Sequence, residues 1–215
     1  MKKVRIYSPF FPYPVTEGAY QVVFDQACTM AQKGYQVELV VWLDSEEEIQ
    51  KKIKRSYLVP FPQNIKVTSL KLRKKDQMKR SFFMRFILLL MTPLSSTEVF
   101  YYPPSSDLDA LDGEVDLAIY HYSFSYVWLK NTNSLREKKR VVYFHNLESE
   151  LSQLRVNSSK LSVVRWLHQR NKQKLESHEK ELSYLSDELW FLSKKDLETY
   201  RSTSLKNHEV KLKLV

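Results

Sequence analysis

The chain has 215 residues, and its 34 lysine and arginine residues against 25 aspartate and glutamate residues give a formal net charge of +9. Hydrophobic residues at 43% and charged residues at 27% are typical of a globular chain and argue against a disordered one. One cysteine, Cys28, excludes a disulfide framework and a multi-cysteine zinc or iron–sulfur site, and the three glycines are too far apart for a dinucleotide-binding or Walker phosphate loop.

The first forty residues have the pattern of a strand, a loop, a helix and a second strand. Val4–Tyr7 is a short β-branched and aromatic run, and residues 10–18 contain two prolines and a glycine, which predicts a loop. Apolar residues spaced three or four apart predict a helix over Ala19–Lys33, with Gly34 as its C-terminal cap. The nearly continuous apolar run Gln36–Trp42 is typical of a strand that is covered on both faces.

A strongly basic segment follows. Lys51–Arg85 contains twelve basic residues and one acid, a net charge of +11, so the remainder of the chain carries −2. The segment runs into the apolar stretch Phe82–Met91, which is too short for a membrane span of about 20 residues. Three interpretations are open: a core helix behind a solvated basic loop, an interfacial helix on anionic lipid, or a nucleic-acid surface. The last is disfavoured because the aromatic residues are not interleaved with the basic ones, and we expect no nucleic-acid partner.

The rest of the chain again alternates strands with helical patterns. A long helical pattern precedes the last strand but one, and Ser193 is placed to cap a closing helix with Asp196 at its third position. The remaining predicted strands are Ile65–Leu70, Val115–Tyr120, Arg140–Phe144, Glu188–Leu192 and one starting in the tail at 208–215. Strands separated by helices predict right-handed βαβ units, and therefore one α/β domain with a doubly wound, Rossmann-like parallel sheet.

Ligands of such sheets bind beyond the carboxyl ends of the strands, where the strand order reverses. Three loops lie there in the predicted fold: Ser8–Gly18, the loop that begins at His121, and the loop that begins at His145 and Asn146. Two histidines at neighbouring strand ends predict a functional cluster. The alternative is that each histidine only satisfies hydrogen bonds at a strand end.

Four segments together resemble the N-terminal acceptor domain of GT-B glycosyltransferases of the family-4-like retaining type. The segments are VRIYSPFFPYPVTEGAYQVVFDQACTMAQKGYQVELVV, VDLAIYHYS, RVVYFHNLESE and ELSYLSDELWFLSKKDLETY. The resemblance covers essentially residues 1–215. It implies that the chain is the N-terminal half of a GT-B fold, and that the second domain, which carries a Glu-x7-Glu donor-binding signature, lies outside this sequence.

The resemblance also implies site residues. Gly18 matches a loop glycine where backbone N–H groups approach a diphosphate or acceptor, and His145 matches a histidine that reaches the transferred sugar. His121 and Asn146 would line the substrate site. Glu17 departs from the small residue common in relatives, which weakens the phosphate role of this loop because a carboxylate repels a diphosphate. No metal and no cofactor are expected, since the nucleotide sugar is a substrate.

The expected function is that of an acceptor-binding half of a retaining hexosyltransferase. It would take a nucleotide sugar as donor and a polysaccharide or lipid-linked glycan as acceptor, in cell-envelope polysaccharide biosynthesis on the cytoplasmic face of the membrane. The predicted membrane-binding residues are Lys71, Arg73, Lys74, Lys75, Lys79, Arg80, Phe82, Phe83 and Phe86. Because the chain has one domain's length, a truncated product, a donor domain on a separate chain and a non-catalytic accessory subunit remain alternatives.

Overall fold

A parallel sheet organises the computed structural model, which describes residues 1–55, 61–70, 91, 95, 111, 113–125, 129, 136–204 and 210–215. The strands are β1 (Lys3–Ser8), β2 (Gln36–Val41), β3 (Ile65–Ser69), β4 (Leu117–His121), β5 (Arg140–Phe144), β6 (Glu188–Phe191) and β7 (Lys211–Leu214). The helices are α1 (Gly18–Gln32), α2 (Glu46–Arg55), α3 (Glu148–Ser158), α4 (Ser162–Leu185) and α5 (Lys194–Thr203), with a short 3-10 turn at Ser123–Ser125.

The strand order across the sheet is β3-β2-β1-β4-β5-β6-β7, and every pairing is parallel. The chain first builds outward from β1 to β3 and then returns to β4 on the other side of β1. The order therefore reverses between β1 and β4, which creates a crevice at their carboxyl ends. The prediction of a doubly wound, Rossmann-like α/β sheet is confirmed.

The alternation of side chains along each strand divides the core into two layers. Ile6, Ile119 and Val141 pack on the face covered by Val23 and Ala27 of α1. The opposite face is covered by α4 and α5 and includes Tyr120, Phe144, Leu182, Leu189 and Tyr200. Burial of both faces explains the nearly continuous apolar character of the strands.

A buried ion cluster connects the three strands on one side of the crevice. Arg5 of β1, 1% exposed, donates from Nε to Glu38 Oε2 of β2 at 2.9 Å, and Lys66 and Thr68 of β3 donate to Glu38 Oε1 at 3.0 and 2.9 Å. Burial opposes ionisation, but the Arg5 charge and these hydrogen bonds lower the pKa of Glu38 to about 2. Arg5 and Lys66 lie directly opposite Glu38 in the strand register, and Thr68 lies two residues further along β3, so the cluster stabilises the alignment of β1, β2 and β3.

The long helix predicted before β6 is α4, and it packs antiparallel against α3, which the sequence did not predict. Ser149 of α3 donates from its backbone N and its Oγ to the Glu179 carboxylate of α4, at 3.1 and 2.5 Å. Further along, Ser152 Oγ donates to the carbonyl of His168 at 3.1 Å, and Asn171 Nδ2 donates to Ser152 Oγ at 3.3 Å. These contacts hold the helices together as a hairpin that starts directly after the carboxyl end of β5.

The other elements agree with the sequence predictions within one or two residues at each end. β4 extends through His121, so the loop predicted from His121 starts at Tyr122, and Gly34 has the positive φ of 82° expected at a helix C-terminus. α2 was not predicted. Within the described part of the chain, no helix combines the length and the apolar composition that a membrane span requires. The predicted membrane-binding residues between Lys71 and Phe86 lie outside the described residues.

Candidate functional site

Strand register brings the two predicted histidines to one face at the sheet edge. His121, the last residue of β4, pairs in register with Tyr143 of β5, and His145 lies two residues beyond Tyr143. Side chains two residues apart on a strand share a face, so both histidines lie on the face that α1 covers. Parallel strands that end together thus place two rings side by side at the crevice.

The two imidazoles are hydrogen-bonded to each other. Nδ1 of His121 lies 2.9 Å from Nε2 of His145, and Nε2 of His121 lies 2.8 Å from Oε1 of Gln26 on α1. An amide oxygen can only accept, so His121 Nε2 carries the proton in this arrangement and its Nδ1 accepts from His145 Nε2. The chain Gln26–His121–His145 therefore fixes the tautomer of both rings and leaves Nδ1 of His145 as an acceptor.

Aromatic rings enclose this pair. The Tyr122 ring stacks on His145 with centroids 4.2 Å apart and an interplanar angle of 15°, and Tyr143 stacks on His121 at 5.1 Å. Tyr122 has a φ of 74°, which is rare for a residue with a side chain and occurs mainly where surrounding contacts impose it. Its N–H donates to the carbonyl of Tyr143 at 2.9 Å, so the strained turn is anchored to β5 beside the histidines.

Burial keeps both histidines neutral near neutral pH. His121 is 0% exposed and His145 is 7% exposed. Burial lowers the pKa of His145 to about 4. Burial and the neighbouring His145 lower the pKa of His121 well below its usual range. His145 is therefore the member of the pair that has exposed surface, and His121 is connected to it by the shared hydrogen bond.

A third polar side chain is buried next to the pair. Ser123, two residues after His121, is 4% exposed, and its Oγ has no hydrogen-bond partner among the described residues. A buried hydroxyl without a partner costs free energy unless a ligand or water satisfies it. Ser123 and His145 are thus two buried polar side chains that follow β4 and β5.

The loop between β1 and α1 reaches the same edge. Phe10 contacts the rings of Tyr20 and Tyr122, with centroids 5.1 and 5.6 Å apart. Gly18 is the first residue of α1, is exposed, and has open space around the position that a Cβ would take. Open space leaves the backbone accessible, which is what a close approach by a ligand requires.

The other predicted site residues are accessible but have no described contact with the histidines. Glu17 occupies the N-cap position of α1 with an extended backbone and makes no capping hydrogen bond with its side chain. Asn146 is exposed directly after His145. Substrate binding stays a prediction for all five residues: Glu17, Gly18, His121, His145 and Asn146. Among the described residues, no group of three or more His, Cys, Asp or Glu side chains could hold a metal ion.

Sequence reasoning missed Gln26, Tyr122 and Ser123. Gln26 had a usable signal, because it lies three residues after Val23 and is the polar member of the apolar stripe of α1. A polar residue on a buried stripe needs a buried partner. Tyr122 and Ser123 had no such signal, because the positive φ of Tyr122 depends on tertiary packing and a serine after a strand is common.

Comparison with known proteins identifies the fold. No family model and no curated protein matches the sequence. Among solved structures, sucrose-phosphate synthase from Thermosynechococcus elongatus superposes with a TM-score of 0.64 at 14% identity, covering 100% of this chain and 48% of that one. The N-terminal domain of Candida albicans trehalose-6-phosphate phosphatase gives a TM-score of 0.50 at 12% identity, covering 100% and 48%. Arabidopsis thaliana UGT89C1 complexed with UDP-L-rhamnose gives 0.49 at 14%, covering 100% and 52%.

The chain spans about half the length of the solved structures that it matches. The whole chain is aligned with the first two at TM-scores of 0.64 and 0.50, so the likeness includes the entire seven-stranded sheet. The prediction that this chain has the fold of the N-terminal half of a GT-B glycosyltransferase is confirmed.

Proposed function

We propose that the chain is the acceptor-binding half of a retaining glycosyltransferase, which transfers a sugar from a nucleotide-sugar donor to a polysaccharide or lipid-linked glycan. The observation that supports this most strongly is the neutral, hydrogen-bonded pair His121–His145 at the reversal point of a GT-B-type sheet. In such sheets the crevice at this point is where ligands bind.

In this proposal each residue of the cluster has a chemical role. Gln26 and His121 hold the His145 ring with its Nε2 proton engaged, so Nδ1 of His145 is the atom that can accept a hydrogen bond from a sugar hydroxyl. Because its position is fixed, Nδ1 of His145 orients the acceptor sugar by accepting a hydrogen bond from its hydroxyl. It also assists removal of the hydroxyl proton as the glycosidic bond forms. His145 is thus the proposed catalytic residue, and His121 and Gln26 are positioning residues.

In this proposal the donor diphosphate does not bind at the N-terminus of α1. The exposed N-terminus of α1, at Gly18, offers backbone N–H groups, but the exposed carboxylate of Glu17 repels a phosphate there. The β1–α1 loop is therefore proposed to contact the acceptor or the sugar, and the donor diphosphate would be bound by a second domain, on this polypeptide or on a separate chain.

A peripheral position on the cytoplasmic face of a membrane belongs to the same proposal. Lipid-linked acceptors are found at membrane surfaces, and the basic residues Lys71–Arg80 followed by Phe82, Phe83 and Phe86 have the composition of an interfacial anchor. The apolar side chains would enter the headgroup region while the cations pair with anionic lipids.

A transfer assay tests the catalytic part of the proposal. The chain, alone and mixed with a separately expressed donor domain, is incubated with labelled nucleotide sugars and lipid-linked saccharides. We expect transfer that His145→Gln reduces by about 100-fold in kcat/KM, because removal of general-base assistance has effects of this order. His168→Gln, on α4, is the matched control and should retain activity.

The assay also separates the enzyme from an accessory subunit. If a full-length transferase copurifies with the chain and its activity is unaffected by His145→Ala, the chain is a non-catalytic partner and the catalytic proposal is wrong. If the chain binds no acceptor and gains no activity from a donor domain, the glycosyltransferase proposal fails.

A further inference from the structure

The tip of the α3–α4 hairpin is an exposed apolar surface that the candidate site does not use. The hairpin tip is defined here as residues 154–170. Leu154 is 63% exposed, Leu161 69%, Val163 68% and Trp166 53%. Scattered exposed apolar residues are ordinary on a protein surface, but a cluster of large ones on one projecting element marks an interaction site.

The hairpin tip and the residues next to it carry only positive charge, although both helices contain acidic residues further from the tip. Between Leu151 and Leu175 there are six basic residues and no acid: Arg155, Lys160, Arg165, Arg170, Lys172 and Lys174. The net charge of the chain outside Lys51–Arg85 does not reveal this second basic region, because acidic residues elsewhere offset its positive charge. Charge complementarity therefore requires a partner with an anionic surface.

On α4 the apolar and basic side chains share one face. Val163, Trp166 and Arg170 are spaced at i, i+3 and i+7, which puts them in one row along the helix. The Arg170 guanidinium lies over the Trp166 ring, 5.7 Å from its centroid. This combination of an indole ring with adjacent cations is typical of helices that lie at a lipid–water interface.

The hairpin projects past the site edge of the sheet. α4 has 24 residues and α3 has 11, so at 1.5 Å per residue α4 is about 36 Å long. The strands have four to six residues, or about 13–20 Å. Since α4 ends next to the start of β6, its first turns extend beyond the carboxyl ends of the strands, where a flat surface can reach the tip.

We propose that the hairpin tip docks on an anionic lipid bilayer. Leu161, Val163 and Trp166 enter the headgroup region, and Arg155, Lys160, Arg165 and Arg170 pair with lipid phosphates. A nucleic acid fits this surface less well, because Leu154, Leu161 and Val163 have no aromatic face on which a base stacks. A second copy of the tip fits it less well, because two equally basic surfaces repel each other. This contact does not depend on sugar transfer or on residues 71–86.

Vesicle flotation of the full chain tests this contact. Vesicles of phosphatidylcholine with and without phosphatidylglycerol are compared at low and high salt. We expect binding only to the anionic vesicles and a decrease at high salt. Val163→Ser/Trp166→Ser should reduce the partition coefficient at least tenfold, and Arg155→Gln/Lys160→Gln should reduce it about fivefold per cation removed.

Matched variants outside the hairpin tip are the controls. Tyr184→Ser removes an exposed aromatic side chain near the other end of α4, where Tyr184 is 57% exposed. Lys180→Gln/Lys194→Gln removes two exposed cations outside the hairpin tip. Both should bind like the unmodified chain, and circular dichroism should show that all variants are folded.

Four outcomes would overturn the proposal. One is an unmodified chain that does not bind phosphatidylglycerol vesicles at low salt. Another is vesicle binding that the tip variants leave unchanged. This outcome includes the case in which vesicle binding is lost only when the basic residues Lys71–Arg80 are replaced. The third is self-association in sedimentation velocity that the tip variants abolish, which would identify a second copy as the partner. The last is binding to a single-stranded oligonucleotide in place of vesicles.

Discussion

His145 is buried and neutral, keeps a small exposed surface, and is held in one orientation by its neighbours. Burial in the crevice disfavours the imidazolium form, and His121 occupies Nε2. The stacked Tyr122 ring restricts the orientation of the imidazole. A group held in this way can accept a hydrogen bond without rearranging, which is the property that efficient positioning requires.

The low pKa of His145 makes the stability of the protein depend on pH in a defined direction. Its pKa is about 4 in the folded chain against an ordinary value of 6.5. Between these values the unfolded state binds more protons, so stability falls as the pH decreases from about 6.5 towards 4. We expect this histidine to account for a loss of about 2 kcal/mol in the free energy of unfolding between pH 7.5 and pH 5.

Urea denaturation of the unmodified chain and of His145→Gln at both pH values measures this contribution. The difference between their two losses measures the contribution of His145, including its effect on the neighbouring His121, whose pKa it helps to lower. Equal losses in both proteins would show that the ring is not buried as described.

At the scale of single elements, one helix N-terminus is capped by a neighbouring residue in the sequence, and another is capped by a residue of a different helix. Ser193 Oγ accepts from the backbone N of Asp196 at 3.3 Å, so the N-terminal cap predicted for α5 is present. The N-terminus of α3 has no such local cap, and the Glu179 carboxylate of α4 accepts its Ser149 N–H.

Replacing the local cap should cost stability at one defined end. Ser193→Ala leaves the backbone N–H of Asp196 without its side-chain acceptor, and we expect a loss of about 1 kcal/mol in the free energy of unfolding, measured by urea denaturation. The control is Ser202→Ala in the last turn of α5, where an exposed Oγ donates to the carbonyl of Thr199. It should change stability little. Equal effects of both changes would contradict a capping role for Ser193.

These two helix ends also show why some elements could be predicted and others could not. The strands and α1 have periodicity or apolar runs that the sheet requires, and their ends agree with the structure within one or two residues. The helix α3 depends on a carboxylate thirty residues away. The positive φ of Tyr122 and the hydrogen bond from His121 to Gln26 likewise arise only in the folded chain.

At the scale of the whole molecule, strand order decides where chemistry can occur. The carboxyl ends of β1, β4 and β5 lie at one edge because the strands are parallel, and the reversal of strand order between β1 and β4 opens a crevice there. The two histidines lie together at this edge because β4 and β5 are neighbours. The sequence could indicate this juxtaposition, since both histidines follow predicted strands. It could not supply the distance between the rings or the hairpin that projects past the same edge.

The α3–α4 hairpin connects the candidate site to the exposed surface of the hairpin tip. The hairpin starts three residues after His145, with α3 at Glu148. From the length of α4 we infer that the hairpin tip extends beyond the carboxyl ends of the strands. An acceptor held in a membrane would approach the site from that side. The proposals on catalysis and on lipid docking are supported by different residues and can fail independently.

The most direct test of the central claim is to observe the histidine rings while a candidate acceptor binds. The full chain, labelled with nitrogen-15 in its histidines, is titrated with a panel of free and lipid-linked saccharides, and the ring nitrogen signals are followed. We expect the Nδ1 signal of His145 to shift and His121 to follow through the shared hydrogen bond, while His168 and His178 remain unchanged. An unchanged His145 signal, with every saccharide or with one that demonstrably binds elsewhere, would contradict the account.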